Sequence, residues 1–256
     1  MGTKIISVVN QKGGVGKTTT VINIGAVFAV LNKKVLIIDF DPQSNASSGL
    51  DIDVSERENR NIYSVLLEEN TIENSIFKTK VPNLDIVPCT VDLAGAELDL
   101  ATVENREYRL KNAISSIANN YDFIFIDCPP SLSLLTLNAL VASTTILIPL
   151  QCEFFALEGL SHLLDTAERI KENFNPTLNI NGIILTMYDR RNRLTEQVEK
   201  DVRSCLGEMV YKTIIPRNVR LSESSSHGVP AIVYDSNCSG SVAYMNLAKE
   251  IMNRII

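Results

Sequence analysis

Ten residues near the amino end carry groups suited to holding a polyphosphate: Asn10-Gln11-Lys12-Gly13-Gly14-Val15-Gly16-Lys17-Thr18-Thr19. Glycines allow a backbone to turn its amides inward, and a helix opening just behind them adds partial positive charge. Lys17 is placed to reach the outer phosphates, and the Thr18 hydroxyl to ligate Mg2+. The phosphate-binding set is therefore Lys12, Gly13, Gly14, Val15, Gly16, Lys17, Thr18 and Thr19. A turn that binds nothing would make poor use of two lysines flanking three glycines. A carboxylate ends the run Phe123-Ile124-Phe125-Ile126-Asp127. Bulky apolar residues closing on an acid form the pattern in which that acid holds Mg2+, here through water. Asp39 and Asp41 close a second apolar run, at the strand end where open parallel sheets bind ligands. Asp39 has two readings, a weak metal ligand or a cap for a helix or loop.

These groups need strands and helices to bring them together. Apolar runs predict strands over 5–9, 34–39, 84–87, 121–127, 145–149, 180–186 and a final one over 211–215. Helical spacing predicts helices over 19–31, 63–67, 92–101, 105–118, 134–141, 156–170, 194–206 and 245–256. His162 falls inside one of them, where a structural role is expected. Residues 51–61 are polar and read as an exposed loop. Strands alternating with helices give an α/β fold: a doubly wound, mainly parallel sheet flanked by helices, with right-handed crossovers. No linker or repeat interrupts the pattern, so residues 1–256 are read as a single domain.

Composition narrows the function classes. At 256 residues and 45% apolar content the chain can build one large core. A net charge of −6 argues against a general nucleic-acid coat. Residues 189–220 nonetheless hold eight basic against five acidic residues, leaving −9 for the remainder. That stretch is either a solvated helix face or a local patch for phosphates. The five cysteines are scattered without a C-x-x-C, as suits reduced thiols, and two histidines cannot build a zinc cluster. No apolar run approaches the roughly 18 residues of a membrane span, and no signal peptide is expected.

In G-x-x-x-x-G-K-[ST] the first glycine would fall at Gln11, whereas this loop has a second lysine, Lys12. That variant is the deviant Walker A loop of a P-loop NTPase, and the chain resembles the ParA/Soj family of partition ATPases over nearly its whole length. The resemblance is carried by the loop together with Asp39-Phe40-Asp41-Pro42-Gln43, Asp127-Cys128-Pro129-Pro130-Ser131, Leu185-Thr186-Met187-Tyr188-Asp189-Arg190-Arg191 and Ile215-Pro216-Arg217-Asn218-Val219-Arg220-Leu221-Ser222-Glu223. It implies an ATPase using ATP and Mg2+, with Lys12, Lys17 and Asp41 as catalytic residues. Lys12 would reach across a two-fold interface to the partner subunit's phosphates, Asp41 would position the attacking water, and Pro216 and Asn218 would border the adenine. It further implies an ATP-induced homodimer that binds DNA non-specifically through Arg190, Arg191, Arg193, Arg217 and Arg220. Hydrolysis, stimulated by a ParB-like centromere-binding protein, would release the DNA. The expected setting is chromosome or plasmid partition, cytoplasmic and nucleoid-associated, with no membrane partner.

The chain departs from the family pattern at Ser224 and Ser225, where alanine and proline are expected, and at Val229, where lysine is. Those changes bear on local rigidity and one basic charge. The first strand starts so early that no N-terminal helix-turn-helix extension is expected, and no cysteines match the cluster ligands of the nitrogenase iron protein. Two other functions share the scaffold. A membrane-cycling ATPase like MinD needs a detachable basic amphipathic tail. Here Leu247, Ala248, Ile251, Met252 and Ile255 form a face with only Lys249 and Arg254 for charge, so packing against the sheet is expected. A small-molecule synthetase that phosphorylates a carboxylate would need an enclosed acceptor pocket.

Overall fold

The computed structural model describes residues 2–255. Strands β1 (Lys4–Val8), β2 (Val35–Asp39), β3 (Phe77–Lys78), β4 (Leu84–Val87), β5 (Phe123–Asp127), β6 (Thr145–Gln151) and β7 (Asn179–Thr186) form one sheet. Their order is β3-β4-β2-β5-β1-β6-β7. All pairs are parallel except the short edge pair β3–β4. The apolar runs are continuous because a parallel sheet is covered on both faces. In β5, Ile124 and Ile126 enter one core layer while Phe123 and Phe125 enter the other. The second layer lies under α1 (Lys17–Val30) and α11 (Ser239–Ile255). Phe28 of α1 meets Phe123 edge-on at 4.6 Å between ring centres. The first lies under α5 (Arg109–Ile117), α6 (Leu134–Ala142) and α7 (Ala156–Asn173). Strand register sets Asp39 beside Asp127, and Val8 beside Asp127, at the carboxyl ends of three interior strands. The doubly wound α/β fold is thus as expected.

Several local expectations fail for identifiable reasons. No strand forms at 211–215. That segment does run beside β7, with Tyr211 N–H donating to Ile183 and Ile215 N–H to Leu185. Between them, the amides of Lys212 and Thr213 turn away to the Glu250 carboxylate at 2.8 and 3.0 Å. The helix expected over 92–101 is a 3-10 turn followed by the short α4 (Ala96–Asp99). The helix expected from residue 105 becomes regular only at Arg109, because Asn105 sits at φ 54°. Loop 51–61 is exposed in part, yet it buries Ile52, Arg57 and Asn61. The last helix starts at Ser239, earlier than the spacing suggested. Its apolar face, Leu247, Ala248 and Ile251, is fully buried in the α1 layer, as expected for packing. Among the described residues no helix is long and apolar enough to cross a membrane.

Candidate functional site

The glycine loop connects β1 to α1 and takes positive φ only at glycines. Gly14 and Gly16 lie at φ 75° and 85°, the left-handed region that other residues adopt at a cost. A Cβ at Gly13 or Gly14 would meet nothing within 4 Å, so the concave side of the loop is open. The convex side is pinned. Val15 is buried, and its carbonyl accepts the Thr186 hydroxyl from β7 at 2.8 Å. Asn10 clamps the entry, its side chain accepting the Lys12 amide at 2.9 Å and donating to the Pro149 carbonyl at 2.7 Å. Lys17 is buried and folds back, its ammonium donating to the Lys12 carbonyl at 3.1 Å. Burial pulls its pKa down; the nearby Asp127, Cys128 and Asp41 act the other way. The Lys12 ammonium, half exposed, pairs with Glu153 of the same chain.

Three carboxylates face this loop in different ways. Asp39 is fully buried, and one of its oxygens accepts both the amide (2.7 Å) and the hydroxyl (2.6 Å) of Ser47. It therefore caps the turn into α2 (Asn45–Gly49), the second of its two readings. Asp41 lines the cavity, with one oxygen accepting the Gln43 amide at 3.0 Å. Asp127 is fully buried, and neither oxygen has a hydrogen-bond partner among the described residues. Burial, then the neighbouring Asp39, pushes its carboxyl well above the ordinary range, opposed by the Lys17 ammonium. A bare buried carboxylate is costly, and a divalent cation would relieve it. One carboxylate, one hydroxyl, water and phosphate oxygens make a donor set suited to Mg2+, which rarely uses an all-protein cage. The residues fit that ion.

The loop, Asp41 and α2 line a cavity of about 500 Å3. Its lining unites Gly13, Gly14, Gly16, Lys17, Thr18, Thr19 and Asp41, whereas Lys12 and Val15 of the expected phosphate set line a separate groove with Asn10 and Phe155. Pro216 and Asn218 stand elsewhere. Pro216 lines a separate groove with Tyr188 and Arg190. Asn218 caps α9 (Val219–Ser226), accepting the Arg220 amide at 2.8 Å, and donates to Ser239 at 2.7 Å. Met187, which stands beside Gly16, and Ser225 and Ser226 complete the lining, and the sequence reading placed none of them there. Asn10 and Ser47 were also missed, and only the side-chain bonds above disclose them. The five arginines are all exposed. Arg191 pairs with Asp189, and Arg220 with Glu223 at 2.8 Å and Asp235 at 3.7 Å. Arg190, Arg193 and Arg217 form no ion pair among the described residues.

Comparison with known proteins agrees with this site. A family model described as an AAA domain matches residues 3–180. The chain is 51% identical over 248 residues to the sporulation initiation inhibitor protein Soj of Bacillus subtilis, covering 97% of this chain and 98% of that one. It is 49% identical over 253 residues to the chromosome partitioning protein ParA of Caulobacter vibrioides, covering 98% and 94% respectively. Among solved structures, cobyrinic acid a,c-diamide synthase from Mycobacterium smegmatis, with bound ATP analogue and magnesium, superposes with TM-score 0.85. That pair is 34% identical, with 98% of this chain and 95% of the other covered. With near-half identity to ParA and Soj over almost its full length, the chain belongs to the ParA/Soj family of partition ATPases.

Proposed function

We propose that residues 1–256 act as one ATPase domain in which ATP closes a DNA-binding homodimer and hydrolysis reopens it. The observation that carries this reading is the orphaned, buried Asp127 facing a glycine loop that ends in Lys17. Mg2+ held by Thr18 and Asp127 would neutralise charge on the outer phosphates. Lys17 binds those phosphates, Asp41 orients the attacking water, and Lys12 serves the partner subunit's nucleotide once it leaves Glu153. There is no nucleophile to activate, so the rate arises from positioning and electrostatics.

The arginine strip supports a DNA role. Arg193 is the first residue of α8 (Arg193–Leu206), where the helix dipole disfavours a cation, so local stability does not explain it. Doubling the strip in a dimer lets phosphate contacts add. Partition, with a ParB-like partner stimulating turnover, is the setting that the relatives' names support. Cytoplasmic, nucleoid-associated action follows from that reading. The synthetase alternative draws on the structural likeness at 34% identity, and is outweighed by two relatives near 50%. DNA retention with ATP, ADP and no nucleotide tests the proposal, with liposome flotation alongside. Retention only with ATP is expected; vesicle binding without DNA retention refutes it.

A further inference from the structure

Pro216 and Asn218 do not line the phosphate cavity, so its nucleoside end has to be built from other groups. Met187, Ser225 and Ser226 stand in the lining far from the loop in sequence. Ser225 falls where the family pattern has proline, and the ATPase reading gives it no task.

The two serines that depart from the family pattern differ in their surroundings. Ser224 is 1% exposed and its hydroxyl donates to the Leu221 carbonyl at 3.0 Å, so its bonding is complete within α9. Ser225 is half-buried, and its hydroxyl lies a long 3.4 Å from that same carbonyl. Ser226 is exposed, with its hydroxyl equally far, 3.4 Å, from the Ser222 carbonyl. Contacts of that length are weak, and one χ1 rotation frees a serine hydroxyl for a better partner. The backbone beneath these hydroxyls is held. Gly228, two residues past α9, sits at φ 65° against Asp51, where a Cβ would come within 2.6 Å of the Asp51 side chain. Its amide donates to the Ser225 carbonyl at 3.1 Å.

Met187 adds strain to the same place. It follows β7 at φ 50°, a left-handed conformation that costs a residue with a side chain about 1–2 kcal/mol. Its terminal methyl lies 3.9 Å from where a Cβ on Gly16 would stand. Lys17, Thr18 and Asp41 thus give the cavity a charged end, while Met187, Ser225 and Ser226 give it an uncharged surface. That surface is one apolar side chain with two hydroxyls that each donate and accept. A further anion would find no cation among the three, and a wholly apolar group would leave the hydroxyls unmet. A ribose offers both complements: a face of carbon and hydroxyls that donate and accept.

We propose that Ser225, assisted by Ser226, hydrogen-bonds the ribose hydroxyls of the bound nucleotide while Met187 packs on the sugar. The chain then selects ribonucleoside over deoxyribonucleoside triphosphates. This selection rests on the nucleotide reading above and adds a contact that proline, having no hydroxyl, cannot make.

The test measures binding of Mg-ATP, Mg-2′-deoxy-ATP and Mg-3′-deoxy-ATP to the full chain by calorimetry. Wild type should bind ATP about three- to tenfold more tightly than at least one deoxy analogue, the worth of one neutral hydrogen bond. Ser225→Ala should lose that preference by weakening ATP alone, and Ser225→Thr, which keeps the hydroxyl, should retain it. A Ser225 that served only to hold α9 would change all three affinities alike and leave their ratios intact. Equal affinity of the wild type for the three nucleotides, a preference intact in Ser225→Ala, or one lost equally in Ser225→Thr overturns the proposal. Binding without discrimination defeats the ribose contact alone, whereas a wild type that binds no triphosphate defeats the nucleotide reading with it.

Discussion

The glycine loop and the arginine strip are built on opposite principles. In the loop nearly every group is fixed from behind: Val15 by Thr186, the Lys12 amide by Asn10, the Lys17 ammonium by the Lys12 carbonyl. Only the concave face is left for a ligand. In the strip the side chains are exposed, and those that pair do so with partly exposed carboxylates, Arg191 with Asp189 and Arg220 with Glu223 and Asp235. Exposed pairs contribute little to stability and exchange readily with other anions. The contrast teaches that buried preorganisation suits one small ligand, whereas loose exposed charge would suit a long polyanion of any sequence. Changes in the loop should therefore abolish function outright, and changes in the strip should grade it.

The largest effect is expected at Lys17. Lys17→Ala removes the cation from a partly desolvated cradle and should abolish productive ATP binding, read by calorimetry. Wild-type affinity in this variant would mean that the loop does not hold the phosphates. Lys12→Ala should bind nucleotide in the monomer and lose turnover by about 10³-fold, the range of a finger residue supplied in trans. Normal hydrolysis would end the trans role. Asp41→Ala should next lower hydrolysis on the order of 10² or more while an ATP-bound dimer persists. Size-exclusion chromatography with ATP reads that; a monomer with normal turnover defeats the assignment.

Asp127 links the site to stability. Its carboxyl is raised by burial, so its favourable contribution is complete below the unfolded value, about 3.9, and is lost as pH rises through the folded one. Above the unfolded value the buried group therefore opposes folding of the ligand-free protein. Asp127→Asn should raise ligand-free stability by about 1–3 kcal/mol and flatten its dependence on pH between acid and neutrality. The same variant should lose the further stabilisation that Mg-ATP confers. Thermal melts at several pH values, with and without Mg-ATP, check both halves.

Much of this was legible in the sequence, for a physical reason. The strand–loop–helix unit is local: the glycines, Lys17 and Thr18 lie within a few residues, and the apolar runs around them can only be buried strands. Asp127 was readable as a metal candidate only in company with the glycine loop, since Asp39 also ends a buried strand and serves as a cap. What escaped was set by tertiary contact. Ser47 matters because it folds onto Asp39, and nothing in its surroundings marks it. The rest of the cavity lining comes from residues such as Met187, Ser225 and Ser226, distant from the loop in sequence. The strand expected at 211–215 failed because Glu250, near the other end of the chain, takes two of its amides.

The smallest effects belong to the strip, and the structure ranks two of its members. Arg217 is exposed and forms no ion pair among the described residues, whereas Arg220 is shared between Glu223 and Asp235. A phosphate recruiting Arg220 must compete with two carboxylates; one recruiting Arg217 meets no such cost. If both touch DNA, either truncation should weaken binding to unrelated duplexes alike, since phosphate contacts carry no sequence information. Each should also make the salt dependence shallower by roughly one per lost contact in each subunit. Arg217→Ala should cost more affinity than Arg220→Ala, because the second variant also frees Glu223 and Asp235 only to lose a contact that was partly offset. ATP-dependent dimerisation should survive both, as Lys12, Lys17 and Asp41 are untouched. Titrations with ATP at several salt concentrations decide it. Unchanged slope and affinity in Arg220→Ala, beside a shallower slope in Arg217→Ala, would confine Arg220 to holding α9 against Asp235.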